Sequence, residues 1–308
     1  MTTRHFLSGI YAAALTPLKQ DFSVDASAVG PLLHFLAARD CRGALLFGTT
    51  GEGPSFSVKE REIVLGAARE VRHTYPDFRL LAGTGTPSLD ETIQLTRMAF
   101  DLGCDGVVVL PPYYFRKISD DGLFTWFDAV IRRAVPQGGY LLGYHIPMQT
   151  NIPLSIDLIA RLKEAHPHKF AGIKDSSGDK DFAAALGRKF GHDLLVLNGN
   201  DGLLLHALEY NAGGAITAMA NLYSPMLNQV WNIFIQGGDP IEAQEQLNIR
   251  RRVLDRYQPF PAIMKALLAR QHGFDRWAVR PPLLPVNAEV EENCLRELRE
   301  CDQVDQGY

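Results

Sequence analysis

Along the first two thirds of the chain, short apolar runs alternate with longer stretches in which apolar positions recur every three or four residues. The runs at residues 9–15, 43–47, 79–82, 106–110, 140–144, 170–173, 194–197 and 214–218 have the length and composition of buried strands. The stretches at 26–38, 58–73, 89–102, 122–133, 155–165, 179–190 and 201–211 carry helical periodicity. Ser57 ahead of Glu60 and Ser88 ahead of Glu91 mark two helix starts as capping boxes, the hydroxyl meeting a first-turn N–H and the carboxylate reaching back. Eight strand signals at roughly 25 to 35 residues per unit are the spacing of a (β/α)8 TIM barrel.

An open, doubly wound sheet shares this rhythm, but it would place a glycine-rich phosphate loop after the first strand. Here the first run ends in Leu15-Thr16-Pro17. The expectation is therefore an α/β barrel over residues 1–220. After that the pattern changes to helices at 221–236, 240–257 and 261–272, a break at Arg280-Pro281-Pro282, and a charged helix at 290–300. Residues 221–308 are expected to pack on the barrel as a C-terminal helical region.

Composition narrows the partners. With 46% hydrophobic and 21% charged residues, the 308-residue chain reads as an ordinary folded protein. A net charge of -4 gives no reason to expect nucleic acid or an anionic membrane. The start, Met1-Thr2-Thr3-Arg4-His5-Phe6, has no apolar leader core, and no later stretch is long and apolar enough to span a bilayer, so a cytoplasmic location is expected. Cys41, Cys104, Cys294 and Cys301 lack metal or redox spacing and read as reduced thiols.

In an α/β barrel the reactive groups stand just beyond the C-terminal ends of the strands. There the sequence places Thr16, the loop Gly48-Thr49-Thr50-Gly51-Glu52, Pro111-Pro112-Tyr113-Tyr114, Tyr144 with His145-Ile146-Pro147, Lys174, and Asn198-Gly199-Asn200. Lys174 leaves an apolar run for the polar turn Asp175-Ser176-Ser177-Gly178-Asp179. A lysine so placed either snorkels to water or sheds hydration and attacks a carbonyl as the neutral amine. Against a 2-oxo acid such an attack gives an imine, an electron sink for the neighbouring carbanion. Thr49-Thr50-Gly51 offers backbone N–H groups and hydroxyls to the carboxylate, and Tyr144, oriented by Thr49, offers a phenol for proton transfer. Read singly, each of these fits a turn or a packed aromatic, and Gly83-Thr84-Gly85-Thr86 reads as the third βα turn. Their conjunction points to chemistry.

These motifs, with Ala82-Gly83-Thr84-Gly85 and Arg280-Pro281-Pro282, run in order from about Gly9 to Pro282. They resemble those of the dihydrodipicolinate synthase and N-acetylneuraminate lyase family of class I, pyruvate-type aldolases. The resemblance implies a (β/α)8 barrel with C-terminal helices, a homotetramer built as a dimer of dimers, and no metal or organic cofactor. It implies that Lys174 is the Schiff-base lysine and Tyr144 the catalytic phenol. Thr49 would link Tyr144 to Tyr114 of a neighbouring subunit. Thr49, Thr50 and Gly51 would hold the carboxylate, and Ile216 would bring a backbone carbonyl near the lysine.

Two departures bear on the substrate. Where the synthases carry an arginine for their dicarboxylate, this chain has Gln149, and an amide cannot replace a bidentate guanidinium. Positions matching the synthases' lysine-feedback pocket hold Gly53, Val58, Arg61 and Pro87, which do not reproduce it. The expected partners are a 2-oxo acid and an aldehyde. The expected activity is that of a 2-keto-3-deoxy-sugar-acid or 4-hydroxy-2-oxoglutarate aldolase, with 4-hydroxy-tetrahydrodipicolinate synthase and a 2-oxo-acid dehydratase as alternatives. A non-catalytic sensor of 2-oxo acids would need neither Lys174 nor Tyr144, and a metal-dependent aldolase would need clustered ligands, whereas the nine histidines are scattered.

Overall fold

The computed structural model describes residues 4–305; the first three and last three residues of the expected regions 1–220 and 221–308 lie outside the described residues. Strands β1 Gly9–Ala13, β2 Gly43–Leu46, β3 Arg79–Gly83, β4 Gly106–Val109, β5 Tyr140–His145, β6 Phe170–Asp175, β7 Leu195–Asn198 and β8 Gly214–Thr217 pair in chain order, all parallel, and β8 closes on β1. Each overlaps one of the eight apolar runs, and β3, β5, β6 and β7 continue one or two residues past the run's end. Both faces of a barrel strand are buried, which is why the runs are continuous rather than alternating. Inward positions such as Tyr11, Leu45, Leu81, Val108, Leu142, Leu197 and Ile216 fill the barrel. Outward ones such as Ile10, Leu46, Val107, Leu141 and Ile173 meet the helices.

The surrounding helices are α1 Ala26–Ala38, α2 Val58–Ala68, α3 Val71–Thr74, α4 Leu89–Asp101, α5 Asp120–Ala134, α6 Pro147–Thr150, α7 Ile156–Ala165, α8 Lys180–Phe190 and α9 Leu204–Glu209. Beyond β8 follow α10 Ala220–Ile235, α11 Ile241–Asp255, α12 Phe260–His272 and α13 Ala288–Asp305. Asn221 in α10 joins this last group to the barrel, accepting from Leu15 N–H at 3.2 Å and donating to the Ala13 carbonyl at 2.9 Å.

Three local details differ from the sequence reading. The helix expected at 58–73 is interrupted after Ala68, where Arg72 turns inward to donate to the carbonyls of Phe78 and Gly103 and to pair with Asp105. Ser57 and Glu60 form the full capping box. Ser88 forms half of one: its hydroxyl accepts from Glu91 N–H, while its own N–H goes to Thr86 Oγ1 at 3.2 Å. At the other end of the chain α13 outruns 290–300 because Asn287 caps it, accepting from Val290 N–H at 2.8 Å.

The pairing of β5 with β6 carries one irregularity that matters for the site. Leu141 pairs with Phe170 but Leu142 pairs with Gly172, so β6 holds one residue more than its partner. Gly172 is required there by crowding, since a Cβ would lie 1.9 Å from the Leu195 carbonyl oxygen. After the irregularity the register runs Tyr144 with Lys174 and His145 with Asp175.

Arg280 locks the C-terminal segment over the entrance to α2. Its guanidinium donates to the carbonyls of Ser55 at 2.6 Å and Phe22 at 2.8 Å, pairs with Glu60, and lies 4.4 Å from the Phe56 ring centroid. Arg280 thereby holds the Glu60 carboxyl at about 2, against burial and with help from Ser57. A carboxylate depressed in the folded state stabilises above its unfolded value of 4.5, and the contribution is lost as pH falls from there towards about 2. Glu60→Gln is expected to lower the melting temperature by about 2 °C at pH 7. The gap should narrow to a small part of that in melts near pH 2.5. An equal gap at both pH values would show that the ion pair is not its source.

Candidate active site

The β5–β6 register brings the lysine and the phenol together. Paired residues of parallel strands point the same way, so Tyr144 and Lys174 both face the barrel axis at its C-terminal end. Lys174 Nζ donates to the Tyr144 hydroxyl at 3.0 Å and lies 4.2 Å from the centroid of its ring. Both side chains are buried, at 3% and 4% exposure. Thr49 Oγ1 is 3.3 Å from the same phenol oxygen. Burial would raise the Tyr144 phenol, but the Lys174 ammonium and the hydroxyls of Thr49 and Ser176 bring it below its ordinary value of 10.

Three further features shape the loop around Thr49. Gly51 packs on the end of β1 so tightly that a Cβ would sit 2.6 Å from the Ala14 carbonyl oxygen, and Thr16 Oγ1 donates to the Gly51 carbonyl at 2.7 Å. Thr49 opens to the mouth while Thr50 is buried. Behind Thr49 and Tyr144 lies a cavity of about 20 Å3, walled also by Arg61, Gly83, Gly85 and Leu110. Arg61 is fully engaged with main chain, donating to the carbonyls of Gly53 at 2.5 Å, Gly83 at 2.7 Å and Phe56 at 3.3 Å.

The structure joins Lys174, Tyr144 and Thr49, with Ile216 on β8 in the same inner layer as Tyr144 and with Thr50 and Gly51 following Thr49 in its loop. Among the described residues no hydrogen bond joins Tyr114 or Gln149 to them. Tyr114 is 75% exposed and meets Phe115 edge-on at 5.3 Å between centroids. Gln149 is exposed on α6, the short helix that starts at Pro147. Gly83-Thr84-Gly85-Thr86 is a packed turn, its hydroxyls spent on Thr96 at 2.9 Å and on Thr92 and Ser88.

Ser176 and the pair behind the site went unassigned in the sequence. Ser176 lies just past the end of β6, two residues on from Lys174, and its hydroxyl reaches the Tyr144 phenol. Its N–H donates to the His145 carbonyl at 2.8 Å. His145 and Asp175 point outward, the imidazole stacking on Phe182 at 4.3 Å and accepting from Leu154 N–H at Nδ1. Burial pushes His145 down although Asp175 pulls the other way, and burial pushes Asp175 up. Among the described residues no group of three or more His, Cys, Asp or Glu side chains is arranged to hold a metal, and no helix is long and apolar enough to cross a membrane.

Residues 6–300 match the dihydrodipicolinate synthetase family. The chain belongs to that family. It is 37% identical over 286 residues to an uncharacterised DapA-like lyase of Chloroflexus aurantiacus, covering 91% of this chain and 92% of the relative. It is 33% identical to a 4-hydroxy-tetrahydrodipicolinate synthase of Prochlorococcus marinus, over 92% and 91%. The solved 4-hydroxy-tetrahydrodipicolinate synthase of Methylacidiphilum fumariolicum superposes with a TM-score of 0.87 at 28% identity, covering 96% of each chain. As a member of the dihydrodipicolinate synthetase family, the protein is a class I lyase of carbon–carbon bonds, working through a Schiff-base lysine.

Proposed function

We propose that Lys174 is that lysine and that it forms an imine with pyruvate or a related 2-oxo acid, which the enzyme cleaves from, or joins to, an aldehyde. The observation that carries this is the buried 3.0 Å contact between Lys174 Nζ and the Tyr144 hydroxyl. The amine adds to the ketone, and the phenol protonates the carbinolamine oxygen so that water leaves. The protonated imine then accepts the electron pair of the breaking bond. In cleavage, the Tyr144 oxygen takes the proton of the substrate's hydroxyl, the carbon–carbon bond breaks, the aldehyde leaves, and the enamine is protonated before hydrolysis frees Lys174. Thr49, Thr50 and Gly51 seat the carboxylate, which fixes the ketone against the lysine. Tyr114, exposed and unconnected to Thr49 in its own chain, continues the hydroxyl path from a second subunit of a homotetramer in this reading. Borohydride trapping with a panel of 2-oxo acids, followed by mass spectrometry of the labelled lysine, tests mechanism and substrate together.

The preferred substrate is a 2-keto-3-deoxy-sugar acid or 4-hydroxy-2-oxoglutarate. Gln149, neutral and exposed on α6, supports this over a dicarboxylate. Without a charge-assisted bidentate contact, aspartate semialdehyde is used less efficiently by about 10- to 150-fold. Likeness to named synthases supports the alternative, 4-hydroxy-tetrahydrodipicolinate synthase, and dehydration through the same imine is a further one. Cleavage of 2-keto-3-deoxy-gluconate is expected to exceed semialdehyde condensation in kcat/KM, and Gln149→Arg to raise the latter. If the semialdehyde reaction is the faster and Gln149→Arg leaves it unchanged, the synthase reading replaces this one.

A further inference from the structure

The Thr49-Thr50-Gly51 turn is followed by a glutamate that does not reach solvent. Glu52 adopts a left-handed backbone conformation, with φ 56°, and its side chain is 0% exposed. One carboxylate oxygen accepts from Lys265 Nζ at 2.6 Å and the other from the Arg280 backbone N–H at 2.8 Å. Lys265, on α12 and itself 1% exposed, also donates to the Ala278 carbonyl at 2.7 Å. A carboxylate at this depth must be paired, and here both of its oxygens are held by groups from the far end of the chain.

The tie reaches the site through short main-chain bonds. Glu52 N–H donates to the Thr49 carbonyl at 3.1 Å, and Gly53 N–H to the Gly48 carbonyl at 3.1 Å. The loop is thus closed on itself, seated on β1 through Gly51, and anchored through Glu52 to α12 and the Arg280 segment. A clamp needed only to hold α12 would gain as much from apolar packing without burying two charges. This one grips the residue three beyond Thr49.

We propose that Glu52, gripped by Lys265 and the Arg280 N–H, is a positioning residue: it sets the Thr49-Thr50-Gly51 backbone so that Thr49 meets the Tyr144 phenol and the loop meets the substrate carboxylate. This rests on the reading of Lys174 as the imine-forming lysine. The C-terminal helices thereby take part in the reaction without touching the substrate.

The test is a double replacement, Glu52→Gln with Lys265→Met, which leaves no unpaired buried charge. It is read by thermal melting, by the pyruvate concentration that half-saturates borohydride trapping at Lys174, and by kcat for aldol cleavage. The glutamine offers one acceptor where the carboxylate offered two, so the loop loses its bidentate grip. The double variant is expected to melt near the wild type while half-saturating pyruvate rises about tenfold or more. Recovery of wild-type trapping and kcat together with the melting temperature would show a merely structural clamp and overturn the proposal. Glu52→Asp, which keeps the charge but is one methylene shorter, guards against a double variant that does not fold. It should melt cooperatively and bind pyruvate more weakly, and wild-type binding in that variant also overturns the proposal. Wild-type protein that traps no pyruvate removes the Schiff-base reading of Lys174 and this proposal with it; trapping that is equal in wild type and variants removes the proposal alone.

Discussion

Lys174→Ala is expected to reduce borohydride trapping with pyruvate to background and to lower turnover on the order of 10,000-fold or more, the scale of losing a covalent nucleophile. The assignment can be argued against the other lysines. Lys265 is as deeply buried, but its ammonium is spent on Glu52 and the Ala278 carbonyl. Lys169 donates to the Val135 carbonyl at 2.6 Å, at the N-terminal end of β6 and so at the opposite end of that strand from Lys174. Lys174 has a phenol as its hydrogen-bond partner, a group that can take its proton and return it. The variant should still melt cooperatively, because among the described residues the one side-chain hydrogen bond removed is that to Tyr144. Lys174→Met, closer in volume, controls for the cavity left by alanine. A reduced adduct mapped to any other lysine, or undiminished trapping in Lys174→Ala, would sink the assignment.

The phenol gives the second large effect. Tyr144→Phe keeps the ring beneath Lys174 and removes only the hydroxyl, so the amine remains and an imine still forms. Proton delivery to the carbinolamine and removal from the aldol hydroxyl are lost, and turnover is expected to fall by about 100-fold or more. The pH profile adds an independent reading. Because Lys174, Thr49 and Ser176 bring Tyr144 below its ordinary value in the free enzyme, the wild-type kcat/KM should show an alkaline limb beneath pH 10. That limb should flatten in Tyr144→Phe. Near-normal turnover, or an unchanged limb, would assign the proton to another group.

Much of this architecture was legible because barrel strands are buried on both faces and announce themselves as apolar runs. Two of the candidate positions follow from the same pattern, since Thr49 and Lys174 are the first polar side chains after their runs and both meet the Tyr144 phenol, whereas His145, first after the fifth run, points outward. What escaped the sequence depended on distant partners. The break after Ala68 follows from Arg72 reaching Phe78, Gly103 and Asp105, and no window of sequence contains that pull. The helical stretch expected at 201–211 begins as a 3-10 turn, Asp201–Leu203, with Asn200 capping it and Arg251 holding Asp201 at 2.8 Å. The short helix α6 did leave a trace, with Pro147 at its first position and Asn151 left-handed at its end. The Glu52 anchor could not be seen at all, because its two halves stand more than 200 residues apart.

The extra residue in β6 has a consequence of parity. If pairing ran on from Leu141 and Phe170 with no residue left out, Leu142 would stand beside Ala171, Tyr144 beside Ile173, and His145 beside Lys174. Neighbours on a strand point to opposite faces, so the amine would be turned out among the helices while the phenol stayed inside. Deleting Ala171 would instead remove only the unpaired residue, leaving Leu142 beside Gly172 and Tyr144 beside Lys174. The chemistry of this barrel depends on an odd-or-even count: a pairing that took Ala171 into the ladder would undo it without changing a single residue.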